Sequence, residues 1–249
     1  MILKGKHTAE LIHGDSIDIL PTLKGGYSMV IADPPYASGG NSMSEKQRTT
    51  GKKYAHDSNF PDFEGDAKDQ RSFTSWSAHW MNEARNLSNQ GAIIAVFTDW
   101  RQLPCVTDAL QWAGWLWRGI LPWDKINSRP QIGRFKQQTE FIVWGSKGSI
   151  PCDRKIGVLP GMYAYPSVIG PKRKHQTEKP LKLMCDLIRI CPEGGRLLDP
   201  FMGSGVAEEA SLIMGHDCTG IEKAGIYFGV SVDRIQGYIA NEAGRVANA

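Results

Sequence analysis

The sequence predicts an α/β domain built on a mostly parallel sheet. Short apolar runs with strand character alternate with helical patterns along the chain. Two of these runs end on a carboxylate and pass straight into a turn, at Asp33 and Asp199. The length, 249 residues, suits one large α/β domain or one domain with a modest insertion, and allows a good core.

Seven runs read as strands: 8–12, 29–32, 92–98, 115–122, 140–145, 196–199 and 218–222. Helical patterns cover 15–20, 74–87, 103–112, 181–190, 206–214 and 225–240. The helix at Leu181 follows Lys179-Pro180, and a proline suits a first helical turn. Trp115 and Trp117 alternate on a strand and Trp112 ends a helix, so most tryptophans read as core. Two stretches break the pattern. Residues 37–72 have no apolar periodicity, and residues 146–178 are rich in Gly, Pro, Lys and Arg. Uncovered loops of this length are usually functional or mobile, and neither is long enough to be a domain. The expected organisation is one domain over 1–249, with 37–72 as a mobile loop.

Composition excludes several classes. With 41% hydrophobic and 22% charged residues the chain is globular rather than disordered. Net charge is +3, and the excess is local: residues 118–174 hold eleven Lys/Arg against Asp124, Glu140 and Asp153. A solvated basic face and a phosphate-tracking surface both fit that bias. The five cysteines are odd in number and lack the close spacing of a zinc or redox site. They read as reduced thiols of a cytoplasmic protein, and the six histidines do not cluster with them, so no metal is expected. No apolar run approaches the roughly 20 residues of a membrane span, and the N-terminus lacks a signal-peptide apolar region.

Chemistry concentrates in two motifs. The first is ADPPYASGG, in which Asp33, Pro34, Pro35 and Tyr36 follow a strand. The second is LLDPFMGSGVAEEA: a strand ends on Asp199, a turn holds Gly203, Ser204 and Gly205, and a helix starts near Val206. About twenty residues on, another strand ends at Glu222. That is the layout of a nucleoside-cofactor site on a doubly wound sheet, where glycines let the backbone approach and the acid accepts from ribose hydroxyls. The spacing is G-x-G without a third glycine, which fits a cofactor without a pyrophosphate.

Together the motifs resemble the amino methyltransferases that use S-adenosylmethionine to methylate exocyclic amines of DNA bases. The order, with the DPPY tetrapeptide first and the glycine loop last, is similar to the permuted beta group of adenine-N6 and cytosine-N4 enzymes. Also matching are HGDSIDIL, with Gly14-Asp15-Ser16, the stretch HQTEKP at 175–180, and the pair ILPWDK and GRFKQQTEFIVWGSKG. The resemblance implies a Rossmann-like methyltransferase fold, with a seven-stranded mostly parallel sheet and helices on both faces in circularly permuted order. It implies that Asp199, Phe201, Gly203, Ser204 and Gly205 line the methionine part of S-adenosylmethionine. It places Glu222 on the ribose, Asp15 on the adenine amine, and Thr177, Glu178 and Lys179 on the carboxylate side, with Asp33 between cofactor and target. The chain is compact, like phage-encoded or orphan enzymes. Only residues 124–175 leave room for a small target-recognition insertion.

The tetrapeptide suits this chemistry. An exocyclic amine is a poor nucleophile because its lone pair is delocalised into the ring. Two acceptors on its N–H bonds can turn that lone pair out. An ionised Asp33 accepts only, and Pro34 offers a carbonyl without a competing N–H. Consecutive prolines restrict the backbone and hold both acceptors rigid. Tyr36 offers a ring on which a flipped base can stack. Aspartate at the head favours adenine over cytosine by family habit, while the physics suits either amine. DNA is the expected partner. Its candidate contacts are Lys52, Lys53, Trp123, Lys125, Arg129, Arg134, Lys172, Arg173 and Lys174. Apolar surface helices would permit a homodimer.

Overall fold

The structure is a computed structural model that describes residues 1–36, 68–130, 132–168 and 178–247. One sheet organises them. Its strands are β1 (Ile2–Lys4), β2 (Thr8–His13), β3 (Tyr27–Ala32), β4 (Ser88–Thr98), β5 (Leu116–Asp124), β6 (Thr139–Ser146), β7 (Tyr163–Ala164), β8 (Leu197–Asp199) and β9 (Cys218–Glu222). They lie in the order β1-β2-β9-β8-β3-β4-β6-β5-β7. Strands β2, β9, β8, β3 and β4 run parallel, and β6 is antiparallel to both of its neighbours.

The seven expected strands all form. The sheet adds two short edge strands, β1 and β7. Three and two residues are too few to show periodicity, and both are strands only because a neighbour supplies hydrogen bonds: β1 pairs with β2, and β7 with Trp123 and Asp124.

The helices are α1 (Ser16–Ile19), followed by a 3₁₀ turn at Leu20–Thr22, then α2 (Gln70–Leu87), α3 (Leu103–Trp112), α4 (Leu181–Ile188), α5 (Val206–Ile213) and α6 (Gly225–Ala247). Helix α2 begins at Gln70, not at 74, so the end of the expected 37–72 loop is helical. Asp69 explains the earlier start: its Oδ1 accepts from Ser72 N at 2.8 Å, a side-chain cap. No helix of the described residues is long and apolar enough to cross a membrane.

The central strands read as unbroken apolar runs because both sheet faces are covered. On β3, Met29 and Ile31 pack with Leu183 and Leu187 of α4, Ala207 of α5 and Ile235 of α6. Val30 and Ala32 face the other way, onto Phe73, Trp80, Val106 and Leu110 of α2 and α3. This sandwich aligns the carboxyl ends of the parallel strands along one edge, where Asp33, Asp99, Asp199 and Glu222 sit at or just past the strand tips. Because β6 is reversed, it brings Glu140 to the same edge.

Candidate active site

Asp33 follows β3, between the tips of β8 and β4. Its carboxylate is shared. Lys179 Nζ donates to Oδ2 at 2.7 Å, and the Tyr36 hydroxyl donates to Oδ1 at 2.7 Å. Lys179 is only 3% exposed at its side chain and also lies 3.5 Å from Glu140 Oε2, while Lys125 Nζ donates to Glu140 Oε1 at 2.8 Å. The result is an alternating chain, Asp33–Lys179–Glu140–Lys125, running from the DPPY tetrapeptide to the start of the β5–β6 turn.

The charge states follow from this chain. Burial pushes the Asp33 carboxyl up, and Lys179 works against it. Burial would also raise Glu140, but Lys179 and Lys125 outweigh it and hold that carboxyl below its ordinary value. For Lys179 burial is again the largest influence, and the two carboxylates overcome it, so the ammonium stays charged with a raised pKa. The Tyr36 hydroxyl is pushed well up by burial and by Asp33, which keeps it a donor. Each Asp33 oxygen holds one donor and retains further acceptor capacity. The Lys179 ammonium sits over the Tyr36 ring, 5.4 Å from its centroid.

Asp199 ends β8, one strand from Asp33. It is 5% exposed, and its Oδ1 accepts from Phe201 N at 2.8 Å. Burial raises its pKa to about 8, with Asp33 and Glu222 adding to the rise. Glu222, at the tip of β9, braces the glycine turn: Gly203 N donates to Oε2 at 2.8 Å and Ala224 N to Oε1 at 2.7 Å. Gly203 has φ +55° and Gly205 φ +78°. A Cβ at Gly205 would also meet Ser231 of α6 at 3.0 Å, so glycine answers both the left-handed backbone and close helix packing. Ser204 is buried in the same turn. The Phe201 ring leans on Trp76 and Trp80 of α2, with centroids 5.3 and 5.1 Å away. Asp15 caps α1 through Ile17 N at 3.0 Å, and its other oxygen lies 3.4 Å from Lys223 Nζ.

The structure places Asp33, Tyr36, Lys179, Asp199, Phe201, Gly203, Gly205, Glu222 and Asp15 at one edge of the sheet. Two placements differ from expectation. Glu178 is engaged by α6, where the Arg234 guanidinium binds it and also Glu209 at 2.9 Å. Its side chain is 7% exposed, so it anchors the strap carrying Lys179. Trp123 is no DNA contact: it is 2% exposed, packs with Phe97 and Ile142, and donates through Nε1 to Tyr165 O at 2.9 Å. The tryptophans expected in the core divide: Trp115 is buried, whereas Trp112 and Trp117 are 72% and 45% exposed. Lys125 is held by Glu140, and Arg129 and Arg134 are exposed. Lys52, Lys53, Lys172, Arg173, Lys174 and Thr177 lie outside the described residues.

Sequence reasoning missed Glu140, Ser16 and Glu208. Glu140 opens a strand beside the expected substrate side, and that position was its only signal. Ser16 Oγ donates to Pro200 O, tying α1 to the glycine-loop motif. Glu208 is 1% exposed, and neither of its carboxylate oxygens has a hydrogen-bond partner among the described residues.

The cofactor-side residues fit a cation-bearing nucleoside. Among the described residues neither Asp199 nor Glu222 makes an ion pair. A buried carboxyl with that surrounding favours a bound positive charge over water.

A sequence model of the DNA methylase family matches residues 27–232. The Type II methyltransferase M2.MboI of Moraxella bovis is 25% identical over 234 residues, covering 86% of this chain and 82% of that protein. The Type II methyltransferase M2.LlaDCHI of Lactococcus lactis subsp. cremoris is 25% identical over 257 residues, covering 92% and 90%. Among solved structures, the M1.HpyAVI–SAM complex superposes with a TM-score of 0.66 at 24% identity, over 91% of this chain and 98% of that one. The cytosine-N4-specific PvuII DNA methyltransferase gives 0.68 at 16% identity, over 95% and 94%. These two likenesses establish the Rossmann-like fold. With the family match spanning both motifs and the strands between them, the chain belongs to the DNA methylases of the amino, N6/N4 type.

Proposed function

We propose that this DNA methyltransferase transfers a methyl group from S-adenosylmethionine to the N6 amine of adenine. S-adenosylmethionine is the cofactor of this family, and when bound it supplies an electrophilic sulfonium methyl. The observation that carries the reading is the lysine-bound Asp33 carboxyl at the head of the tetrapeptide, on the same strand edge as the glycine turn. Aspartate there also favours adenine over cytosine by the family's habit.

On this reading the target amine donates one N–H to a free acceptor site of Asp33 and the other to the Pro34 carbonyl. Its lone pair then leaves conjugation with the ring and points at the methyl. Lys179 favours the ionised form of Asp33, and that carboxylate would stabilise positive charge that develops on the nitrogen. The Tyr36 hydroxyl is occupied by Asp33, which fixes the ring for stacking, worth about 1–3 kcal/mol per base. Lys179 covers one face of that ring, so the base would take the other. After transfer the surplus proton can leave to water. Asp199, Gly203, Ser204, Gly205 and Phe201 would hold the methionine part of the cofactor, Glu222 the ribose and Asp15 the adenine amine. Lys52, Lys53, Arg129, Arg134, Lys172, Arg173 and Lys174 would meet phosphates.

The test is to incubate the protein with S-adenosylmethionine and unmethylated genomic DNA, digest to nucleosides and identify the product by mass spectrometry. N6-methyldeoxyadenosine is the expected product. N4-methyldeoxycytidine would keep the mechanism and replace the target, and no methylated base would overturn the reading.

A further inference from the structure

The turn between β5 and β6 carries apolar side chains that the fold leaves unused, and Lys136 Nζ donates to Ile126 O at 3.4 Å within it. Its base is braced. Lys125 N donates to Gln138 O at 2.7 Å, and Asn127 exchanges two 2.9 Å hydrogen bonds with the backbone of Ser167. Gly133, at φ +73°, bends the tip. Beyond that frame Ile132 and Phe135 stand wholly in solvent, at 105% and 99% exposure, and Ile126 is 53% exposed. Their neighbours are basic. Arg134 and Lys136 flank Phe135, Arg129 precedes the tip, all three are exposed, and residues 125–138 contain no acid.

The turn is also wired to the site. Lys125 at its foot binds Glu140, Glu140 lies against Lys179, and Lys179 binds Asp33. The tip therefore rises from the sheet edge that carries the tetrapeptide.

We propose that this turn is a wedge for duplex DNA. Arg129, Arg134 and Lys136 hold phosphates while Phe135 enters the base stack and occupies the place vacated by the target base. The inference rests on reading the protein as a DNA base methyltransferase. Three cations without an acid complement a polyanion. Apolar side chains inserted between base steps unstack a duplex, and an aromatic ring among bases recovers stacking. A second exposed apolar set, Trp112, Leu116 and Trp117, lies at the opposite end of β5, where the neighbouring Arg118 is bound to Ser146 and Gly148.

The experiment uses the full chain and two duplexes of a sequence it methylates. One pairs the target base; the other places an abasic site opposite it. Phe135→Ala should lower turnover on the paired duplex by on the order of tenfold, equivalent to about 1.4 kcal/mol, and far less on the abasic duplex. Phe135→Trp should restore the wild-type ratio, and Trp112→Ala should not alter it. Equal turnover of wild type and Phe135→Ala on the paired duplex overturns the proposal. So does an equal loss on both duplexes, which would make Phe135 an ordinary contact. Loss of a dimer in sedimentation, with paired-duplex turnover unchanged, would assign the face to a second copy of the chain. If the wild type methylates no DNA, the DNA reading itself fails; a defect confined to the variants bears on the wedge alone.

Discussion

At the tip of β3, Asp33 shares a buried ammonium with Glu140; one strand over, Asp199 is buried with no cation among the described residues. Both carboxyls are raised by burial. In the first, Lys179 and the Tyr36 hydroxyl oppose that rise; in the second, only the Phe201 N–H does, and the carboxyl reaches about 8. Glu222 follows the second pattern, raised by burial and met by backbone N–H groups. On the proposed reading, the difference separates two tasks. A group that must accept a neutral amine needs its charge settled beforehand. A group that receives a cationic cofactor is best left without a counterion, because the ligand then supplies it.

The largest way to break this comparison is Asp33→Ala. It should lower turnover by on the order of a thousandfold while cofactor affinity stays near wild type. Single-turnover methyl transfer and a cofactor titration check both halves, and preserved turnover would remove the acceptor role.

Next is Lys179→Met. It leaves Asp33 and Glu140 facing each other without their shared cation, and removing one partner of a buried pair costs roughly 3–5 kcal/mol. Chemical denaturation would read this loss, and a variant as stable as wild type would show that Lys125 alone balances the site.

A third effect sharpens the cofactor side. The folded-state pKa of Asp199, about 8, lies above its unfolded value of about 3.9. The folded protein therefore holds this proton more tightly. The associated stability is full below about pH 4 and is lost as pH rises through about 8. Cofactor-free thermal stability should decline across that interval. The stabilisation added by S-adenosylmethionine should grow, because the ionised carboxyl is the form a cation favours. Asp199→Asn should flatten both trends. Parallel slopes in wild type and variant would assign the titration to Glu208, whose buried carboxyl is also pushed well up.

The smallest effect concerns Trp123. Trp123→Phe leaves the Tyr165 carbonyl without its donor and should cost about 1–3 kcal/mol of stability. The salt dependence of DNA binding should not change; a shallower slope would return Trp123 to the DNA surface.

Much of this protein was legible in one dimension. Strands β3 and β4 announced themselves because both faces of their central stretches are buried, so 29–32 and 92–97 read as unbroken apolar runs. The turn after Asp199 announced itself because glycine is the residue that takes φ +55° and +78° without strain. Asp33, Asp199 and Glu222 could be picked out because each ends an apolar run, and a doubly wound sheet collects such ends at one edge. The sequence by itself therefore determined the fold class, the two motifs and their meeting. Only the tertiary structure decided how charge is shared there. Glu140 and Lys179 are far apart along the chain and meet because β6 runs against its neighbours. Glu178 turns to Arg234 because α6 carries a guanidinium beneath that strap. Such pairings depend on which side chains face each other across packed elements, and no local spacing encodes that.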